Sequence, residues 1–332
     1  YYTFYTFEMK SLVTLYFFTI FISVFEVLVM FNKLIYQTPR FLCYPDTYLD
    51  YRINENFFCS KDTHYDVVIV INSASRNYYR REAIRFTWGN ASHYSSLGYK
   101  VKAVFLLGNP ELLDADLREN VMKERNTFKD IFFINTEEAY RNNIHKTLYG
   151  LKLVDRYCPD SDLVIKADDD IFVDVPKLYH SYMKDPSRSS AVWCSINSNS
   201  AVRNPKEGWY VDPRVYGHDY PSYCFGSFYT LNKTAASTLI KMAYCEAWFW
   251  IDDVSVTGDL RTRANIPITG LTRDDEYMSS GYSLYNKTVD MTNAKDLKML
   301  YHHNLSPQAM HYLWSLVLLK SNHDNDATSS RK

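Results

Sequence analysis

The stretch Asp162-Leu163-Val164-Ile165-Lys166-Ala167-Asp168-Asp169-Asp170 sets the reading of the whole chain. Its apolar run reads as a buried strand, and that strand ends on three adjacent carboxylates. The apolar Ile171-Phe172-Val173 follows at once. In an open α/β sheet, ligands lie beyond the carboxyl ends of the strands. Three neighbouring carboxylates repel one another, and a hard divalent cation with oxygen ligands relieves that repulsion. Such a cation also neutralises a departing diphosphate. A solvated acidic turn or an acidic helix start is the plainer alternative.

Working outward, Tyr65–Asn72 (YDVVIVIN) reads as a strand buried on both faces. Arg80–Trp88 predicts a helix, Val101–Leu107 a strand closed by Gly108-Asn109-Pro110, and Glu111–Glu124 a helix. Ile131–Ile134 predicts a third strand, Asn143–Tyr157 a helix, and Asp162–Ala167 the fourth strand. Strands alternating with helices indicate an α/β fold with a largely parallel central sheet flanked by helices.

The 332 residues are 46% hydrophobic, enough for a full core, which excludes disordered and fibrous classes. With 37 basic and 38 acidic side chains the net charge is −1, so the chain lacks the basic excess of a nucleic-acid binder. Aromatic residues, led by 29 tyrosines, make up 16% and suit either sugar recognition or a tyrosine-rich core.

Ser11–Phe31 is a 21-residue apolar stretch whose single charge is Glu26. As a helix it measures about 31 Å, matching a bilayer core, and no small-residue cleavage site follows it. It reads as an uncleaved transmembrane anchor. The expected organisation is a cytosolic tail (1–10), the anchor (11–31), a stem (32–64), a lumenal domain (65–320) and a disordered tail (321–332). Sequons at Asn90, Asn232, Asn286 and Asn304 and six cysteines fit a lumenal body. No CxxC spacing is present, which argues against structural zinc. Cys158, Cys194, Cys224 and Cys245 can form two bridges in three connectivities. Cys43 and Cys59, both in the stem, pair with each other or across two chains, leaving a homodimer open.

Other candidates for chemistry are scattered. Asp252-Asp253 follows Trp248-Phe249-Trp250-Ile251, where desolvation favours a general base; an ordinary helix start is the alternative. His302-His303 offers imidazole to a metal or is a surface pair. Arg81 and Arg85 share one helix face and either hold phosphate oxygens or pair with acids in the fold. The aromatic-rich stretch from Trp209 to Tyr223, with Tyr220, is a candidate acceptor wall or part of the core.

Taken in order, Arg81-x-x-Ile84-Arg85-x-Thr87-Trp88, Phe105-Leu106-Leu107-Gly108, Lys166-x-Asp168-Asp169-Asp170, Tyr220-Pro221-x-Tyr223-Cys224-x-Gly226 and Asp252-Asp253-Val254 resemble the β-1,3-galactosyltransferase family, glycosyltransferase family 31. Lys146-Thr147 and His303-x-x-Ser306-Pro307 extend the resemblance over residues 65 to about 316. The family also holds β-1,3-N-acetylglucosaminyltransferases.

The resemblance implies a GT-A-type nucleotide-sugar transferase fold in a single-pass type II Golgi membrane protein. It implies an inverting transfer, with Mn²⁺, from a UDP-sugar to the 3-hydroxyl of a glycan on a glycoprotein or glycolipid. UDP-galactose is the first donor and UDP-N-acetylglucosamine the second; a non-catalytic lumenal chaperone on the same fold is the different-class alternative. Carried over by position, Asp170 is the metal ligand, with His303 beside it and Asp168 toward ribose or metal. Asp253 is the base by the same carry-over. From their own chemistry, Arg81, Arg85, Lys166, Asp168 and Asp169 are the nucleotide-binding candidates, and Trp209, Tyr220, Tyr223 and Asp252 the acceptor-binding ones. Asp252 stands where the family usually has Glu, and Ser255 where it has an aromatic residue.

Overall fold

The computed structural model describes residues 58–60, 62–184, 191–217, 219–271, 276–277 and 301–329. The predicted cytosolic tail, anchor and most of the stem lie outside the described residues. Among those described, no helix is long and apolar enough to cross a membrane.

The chain folds as mixed α/β around one seven-stranded sheet. In chain order its elements open with β1 (Tyr65–Asn72), α1 (Tyr78–Phe86), α2 (Ala91–Ser96), β2 (Val101–Leu107), α3 (Ala115–Phe128) and β3 (Ile131–Phe133). Next come α4 (Asn143–Tyr157), β4 (Ser161–Asp168), β5 (Phe172–Val173), α5 (Val175–Lys184), β6 (Val192–Asn197), β7 (Tyr223–Leu231) and α6 (Lys233–Ala243). A π-helical segment (Val254–Leu260), α7 (Arg261–Arg263), β8 (Ile268–Gly270), β9 (Glu276–Tyr277), β10 (Tyr301–His302) and α8 (Pro307–Ser329) complete it.

The strand order is β3-β2-β1-β4-β7-β6-β8, with β5, β10 and β9 forming a small second sheet. The four strands β3, β2, β1 and β4 run parallel, while β7 is antiparallel to both β4 and β6. The side chains of β1 alternate between two cores. Val67, Ile69 and Ile71 pack on one face with Ala83 and Ile84 of α1 and Met310 and Leu313 of α8. Val68 and Val70 pack on the other with Leu148 and Leu151 of α4 and Leu239 of α6. A strand covered on both faces has no polar side to show, which is why it reads as a continuous apolar run. Gly150 lets α4 lie against the sheet, since a Cβ there would fall 2.3 Å from Val70 Cγ1.

Several expected boundaries shift. The helix expected over Glu111–Glu124 breaks into a 3₁₀ turn at Pro110–Leu112 and α3, because the Asp114 side chain caps Leu117 N–H and starts the helix afresh. Packing of the domain begins before residue 65. Phe58 is buried with its ring 5.1 Å from that of Phe132, and Cys59 is bonded to Cys158. That bridge replaces the expected pairing of Cys59 within the stem. Cys194 bonds to Cys224 across the paired strands β6 and β7, and Cys245 is also disulfide-bonded. The C-terminal segment expected to be disordered is helical as far as Ser329. Two sequon asparagines, Asn90 and Asn232, cap α2 and α6 through their side-chain oxygens; Asn286 lies outside the described residues.

Candidate active site

The parallel strands β1 and β4 end side by side, with Asn72 registered against Asp168. Beyond their carboxyl ends lies a cavity of about 280 Å³, lined by residues that include Asn77, Arg80, Glu138, Tyr140, Lys146 and Asp168–Asp170. This is the position where open α/β sheets bind ligands.

Each wall is tied down. Glu138 accepts from Ser75 N–H, Ser75 Oγ and Gly108 N–H, and pairs with the buried Lys146 ammonium, which also donates to Ser73 O. Asn72 Nδ2 donates to Thr147 Oγ1 (2.9 Å), and that hydroxyl donates to Asp252 Oδ2 (2.8 Å). None of Asn72, Ser73, Asn77, Arg80, Glu138 or Tyr140 stood out in the sequence. The available signal was the polar run Asn72–Asn77 directly after the first strand.

The three carboxylates of the acidic triplet have different fates. Asp169 is turned into the protein, accepting from Ser73 Oγ, Asn77 Nδ2 and Arg80 Nη1. It holds the start of α1 against the end of β4, with both of its oxygens engaged. Asp168 pairs with the fully buried Lys166 (2.7 Å). Burial pushes the Asp168 carboxyl up to about 6, with Asp252 and Asp170 adding to the rise against the pull of Lys166. Asp170 is partly exposed and its carboxylate makes the longer ion pair, 3.5 Å from Arg80; burial raises its pKa while Arg80 and His303 pull it down.

Lys166 was expected to touch the nucleotide. It is instead enclosed, donating to Asp168 and Gly226 O and lying 3.8 Å from Asp252. It serves as counter-ion to a cluster of acids, which keeps it charged in spite of burial.

The expected arginine clamp is also reassigned. Arg81 is wholly buried, in a fork on Glu124 (2.8 and 2.7 Å), and donates to Ser73 Oγ, Ala74 O and Ser75 O. Arg85 binds Asp130 through two nitrogens and reaches Glu124. Both follow the acid-pairing alternative, because their shared helix face packs on α3 and the end of that helix. The cavity-facing arginine is Arg80, one residue earlier.

His303 lies far from the triplet in sequence and next to it in space. The pairing of β10 with β5 sets His302 opposite Phe172, and Leu305 N–H donates to Asp170 O (2.8 Å). Burial lowers the His303 pKa, which leaves a neutral imidazole with a free lone pair. Asp170 and His303 thus offer an oxygen and a nitrogen to a divalent cation, a donor set that suits Mn²⁺. Burial raises the carboxyl pKa at both Asp168 and Asp170, and a bound cation would favour their ionised forms. Asp168, occupied by Lys166, is the less suited ligand. One described group of His and Asp ligand atoms lies within 4.8 Å of one another: His64, Asp66 and Asp162, at the opposite ends of β1 and β4.

Asp253 sits at the start of the π-helical segment, where its side chain accepts from Val254 N–H. Gly226 of β7 makes room for it, since a Cβ there would stand 3.1 Å from Asp253 Oδ2. Burial and the neighbouring Asp252 push the Asp253 carboxyl up to about 7, which suits a proton acceptor near neutral pH. Asp252, expected at the acceptor, is engaged inward with Thr147.

The expected acceptor wall divides. Tyr223 is buried on β7, and Tyr220 packs among Tyr216, Tyr223 and Phe249 in a small aromatic core. Trp209 is half exposed beside Tyr140 and Trp250.

Comparison with known proteins identifies the family. The galactosyltransferase family model matches residues 79–272. β-1,3-Galactosyltransferase 1 of Mus musculus and of Homo sapiens are each 26% identical over 269 residues, covering 80% of this chain and 78% of the relative. Lactosylceramide 1,3-N-acetyl-β-D-glucosaminyltransferase B of Danio rerio is 29% identical over 239 residues, covering 68% of this chain and 62% of the relative. Among solved structures, a glycosyltransferase involved in glycosylation of the PBCV-1 major capsid matches with a TM-score of 0.37 and 12% identity, covering 74% of this chain and 98% of that one. The family match spans more than half of the sequence, and the chain belongs to the galactosyltransferase family as a hexosyltransferase acting on a nucleotide-sugar donor.

Proposed function

We propose that this chain is an inverting, Mn²⁺-dependent β-1,3-galactosyltransferase of the GT-A type. It would move galactose from UDP-galactose to the 3-hydroxyl of an acceptor sugar on a glycoprotein or glycolipid. The observation that supports this reading is that Asp170, which lines the cavity, lies within electrostatic reach of His303, while the charge of its neighbour Asp168 acts on Asp253.

In this reading the diphosphate lies in the cavity, where Arg80 offers guanidinium donors. Asp170 and His303 would hold Mn²⁺, which when bound neutralises charge on the departing diphosphate. Asp253 takes the proton of the acceptor hydroxyl as that oxygen bonds to the anomeric carbon. The bond from that carbon to the phosphate oxygen breaks on the opposite side, and its electron pair leaves with UDP. Lys166 keeps Asp168 and Asp252 compensated, so that Asp253 remains the carboxylate closest to protonation.

UDP-N-acetylglucosamine is the second donor reading, because one of the relatives is named for that transfer. The apolar stretch at 11–31 and the disulfides support a Golgi location with the catalytic domain lumenal, on a single-pass type II anchor. The test is UDP release by residues 33–332 offered UDP-galactose, UDP-N-acetylglucosamine or UDP-N-acetylgalactosamine, with Mn²⁺ or chelator and an acceptor panel. Expected is metal-dependent, acceptor-stimulated release from UDP-galactose that is lost in Asp253→Asn. UDP binding without release from any donor would overturn the catalytic reading in favour of a chaperone.

A further inference from the structure

Three aromatic rings from separate parts of the chain meet beside the cavity, which one of them, Tyr140, lines. Tyr140 belongs to the 3₁₀ turn Tyr140–Asn142 before α4, Trp209 to the excursion between β6 and β7, and Trp250 to the turn before Asp252. The rings of Trp209 and Trp250 stack at 5.9 Å with 17° between their planes, and Tyr140 meets Trp209 edge-on at 5.1 Å. The guanidinium of Arg141 sits 4.6 Å from the Trp250 ring centre and braces it.

Trp250 is partly buried and anchors the cluster to the small aromatic core around Tyr216 and Tyr223, while the other two rings stay uncovered. Tyr140 is 60% exposed and Trp209 49% exposed, although large rings gain most from burial. Mutual packing fixes the rings without covering them, so an incoming ligand would meet a surface already ordered. Tyr140 lines the cavity, and the charges of Asp252, Asp253 and Asp168 all act on its hydroxyl. The cluster is therefore continuous with both the donor cavity and the base.

Resting on the transferase reading above, we propose that Tyr140, Trp209 and Trp250 form the acceptor subsite. The apolar C–H face of a pyranose would stack on the exposed rings while its hydroxyls turn toward Asp253. A protein partner fits less well. Three rings make a small patch beside a charged cavity, whereas stable protein interfaces bury about 800 Å² per partner. Apolar rings with a few convergent polar groups are instead what small-ligand sites show.

The test measures sugar binding and nucleotide binding separately. Saturation-transfer NMR and titration would use methyl β-D-galactopyranoside and methyl N-acetyl-β-D-glucosaminide as probes, with and without UDP and Mn²⁺. In the wild-type chain, transfer is expected to fall most strongly on ring C–H protons of at least one probe. Trp209→Ala and Trp209→Leu should each weaken that binding about tenfold, Trp209→Phe should restore most of it, and UDP affinity should stay within about twofold. Unchanged sugar affinity in both folded variants, or no sugar binding by a wild-type chain that binds UDP, overturns the subsite. Failure to bind UDP overturns the transferase reading instead, and the Trp209 series then still decides whether the rings hold a sugar.

Discussion

Thr147 Oγ1 donates to Asp252 Oδ2 across 2.8 Å, linking the middle of α4 to the segment that presents Asp253. The same hydroxyl accepts from Asn72 Nδ2 at the end of β1, so one side chain joins three parts of the site. Thr147→Val keeps the shape and removes both bonds. A hydrogen bond to a charged group contributes roughly 1.5–3 kcal/mol, so the melting temperature should fall measurably. Turnover should drop about tenfold with UDP affinity little changed, and Thr147→Ser should recover most of the loss.

The pH dependence of transfer follows from the Asp253 carboxyl, raised to about 7 by burial and by Asp252. A base works only when ionised, so kcat/KM should fall as pH drops through neutrality. Replacing Asp252 by Asn removes a neighbouring negative charge, which lowers the Asp253 pKa and moves this acidic limb to lower pH. A pH–rate profile of the two proteins at saturating Mn²⁺ checks the shift. An unmoved limb would assign the titration to another group.

Arg80 and Arg81, adjacent in sequence, should separate cleanly in their effects. Arg81→Met leaves Glu124 short of a buried partner and should cost on the order of 3 kcal/mol of stability, with UDP affinity of the folded protein nearly intact. Arg80→Ala leaves the buried Asp169 with Ser73 and Asn77 as donors, so it should cost less stability than Arg81→Met while weakening UDP binding about tenfold. Denaturant melts and nucleotide titrations on both variants test the contrast.

The Cys59–Cys158 bridge closes a loop with a sequence separation of 99. Loop entropy for that length predicts a stability loss of roughly 4.7 kcal/mol when both residues become serine. Phe58 should lose its packing against Phe132 at the same time, visible as earlier proteolysis near residue 58. Unchanged stability would mean the residues before β1 contribute little to the domain.

His64 gains charge from its surroundings: the hydrogen bond to Asp160 (2.9 Å), then the charges of Asp162 and Asp66, raise its pKa above 6.5. A raised folded-state pKa means its stabilisation is full below the unfolded value and is lost as pH rises through the folded one. The melting-temperature difference between wild type and His64→Gln should therefore be larger at pH 5.5 than at pH 8.5. Equal differences at the two pH values would show that the cluster is not proton-linked.

The sequence by itself determined the order of the four strands over residues 65–167 and the place of the acidic triplet, but not α2 or the 3₁₀ turns between them. Those features are local: the apolar run of β1 must be buried on both faces whatever lies beside it, and Asp168–Asp170 must fall where β4 ends. The burial of Asp253 was legible too, since a carboxylate after four large apolar residues is desolvated by its own neighbours. Tertiary structure alone decided which polar groups face the cavity. Arg80 and Arg81 are one residue apart, yet about 100° of helix rotation sends one to the ligand side and the other to Glu124. Asp169 and Lys166 look like ligand contacts in sequence, but their partners Ser73, Asn77 and Gly226 arrive from distant segments and claim them. The pairing of β10 with β5 brings His303 to Asp170, and the packing of three loops brings Tyr140, Trp209 and Trp250 together. No sequence period records contacts of that range, because they depend on how separate elements dock and not on how any one of them folds.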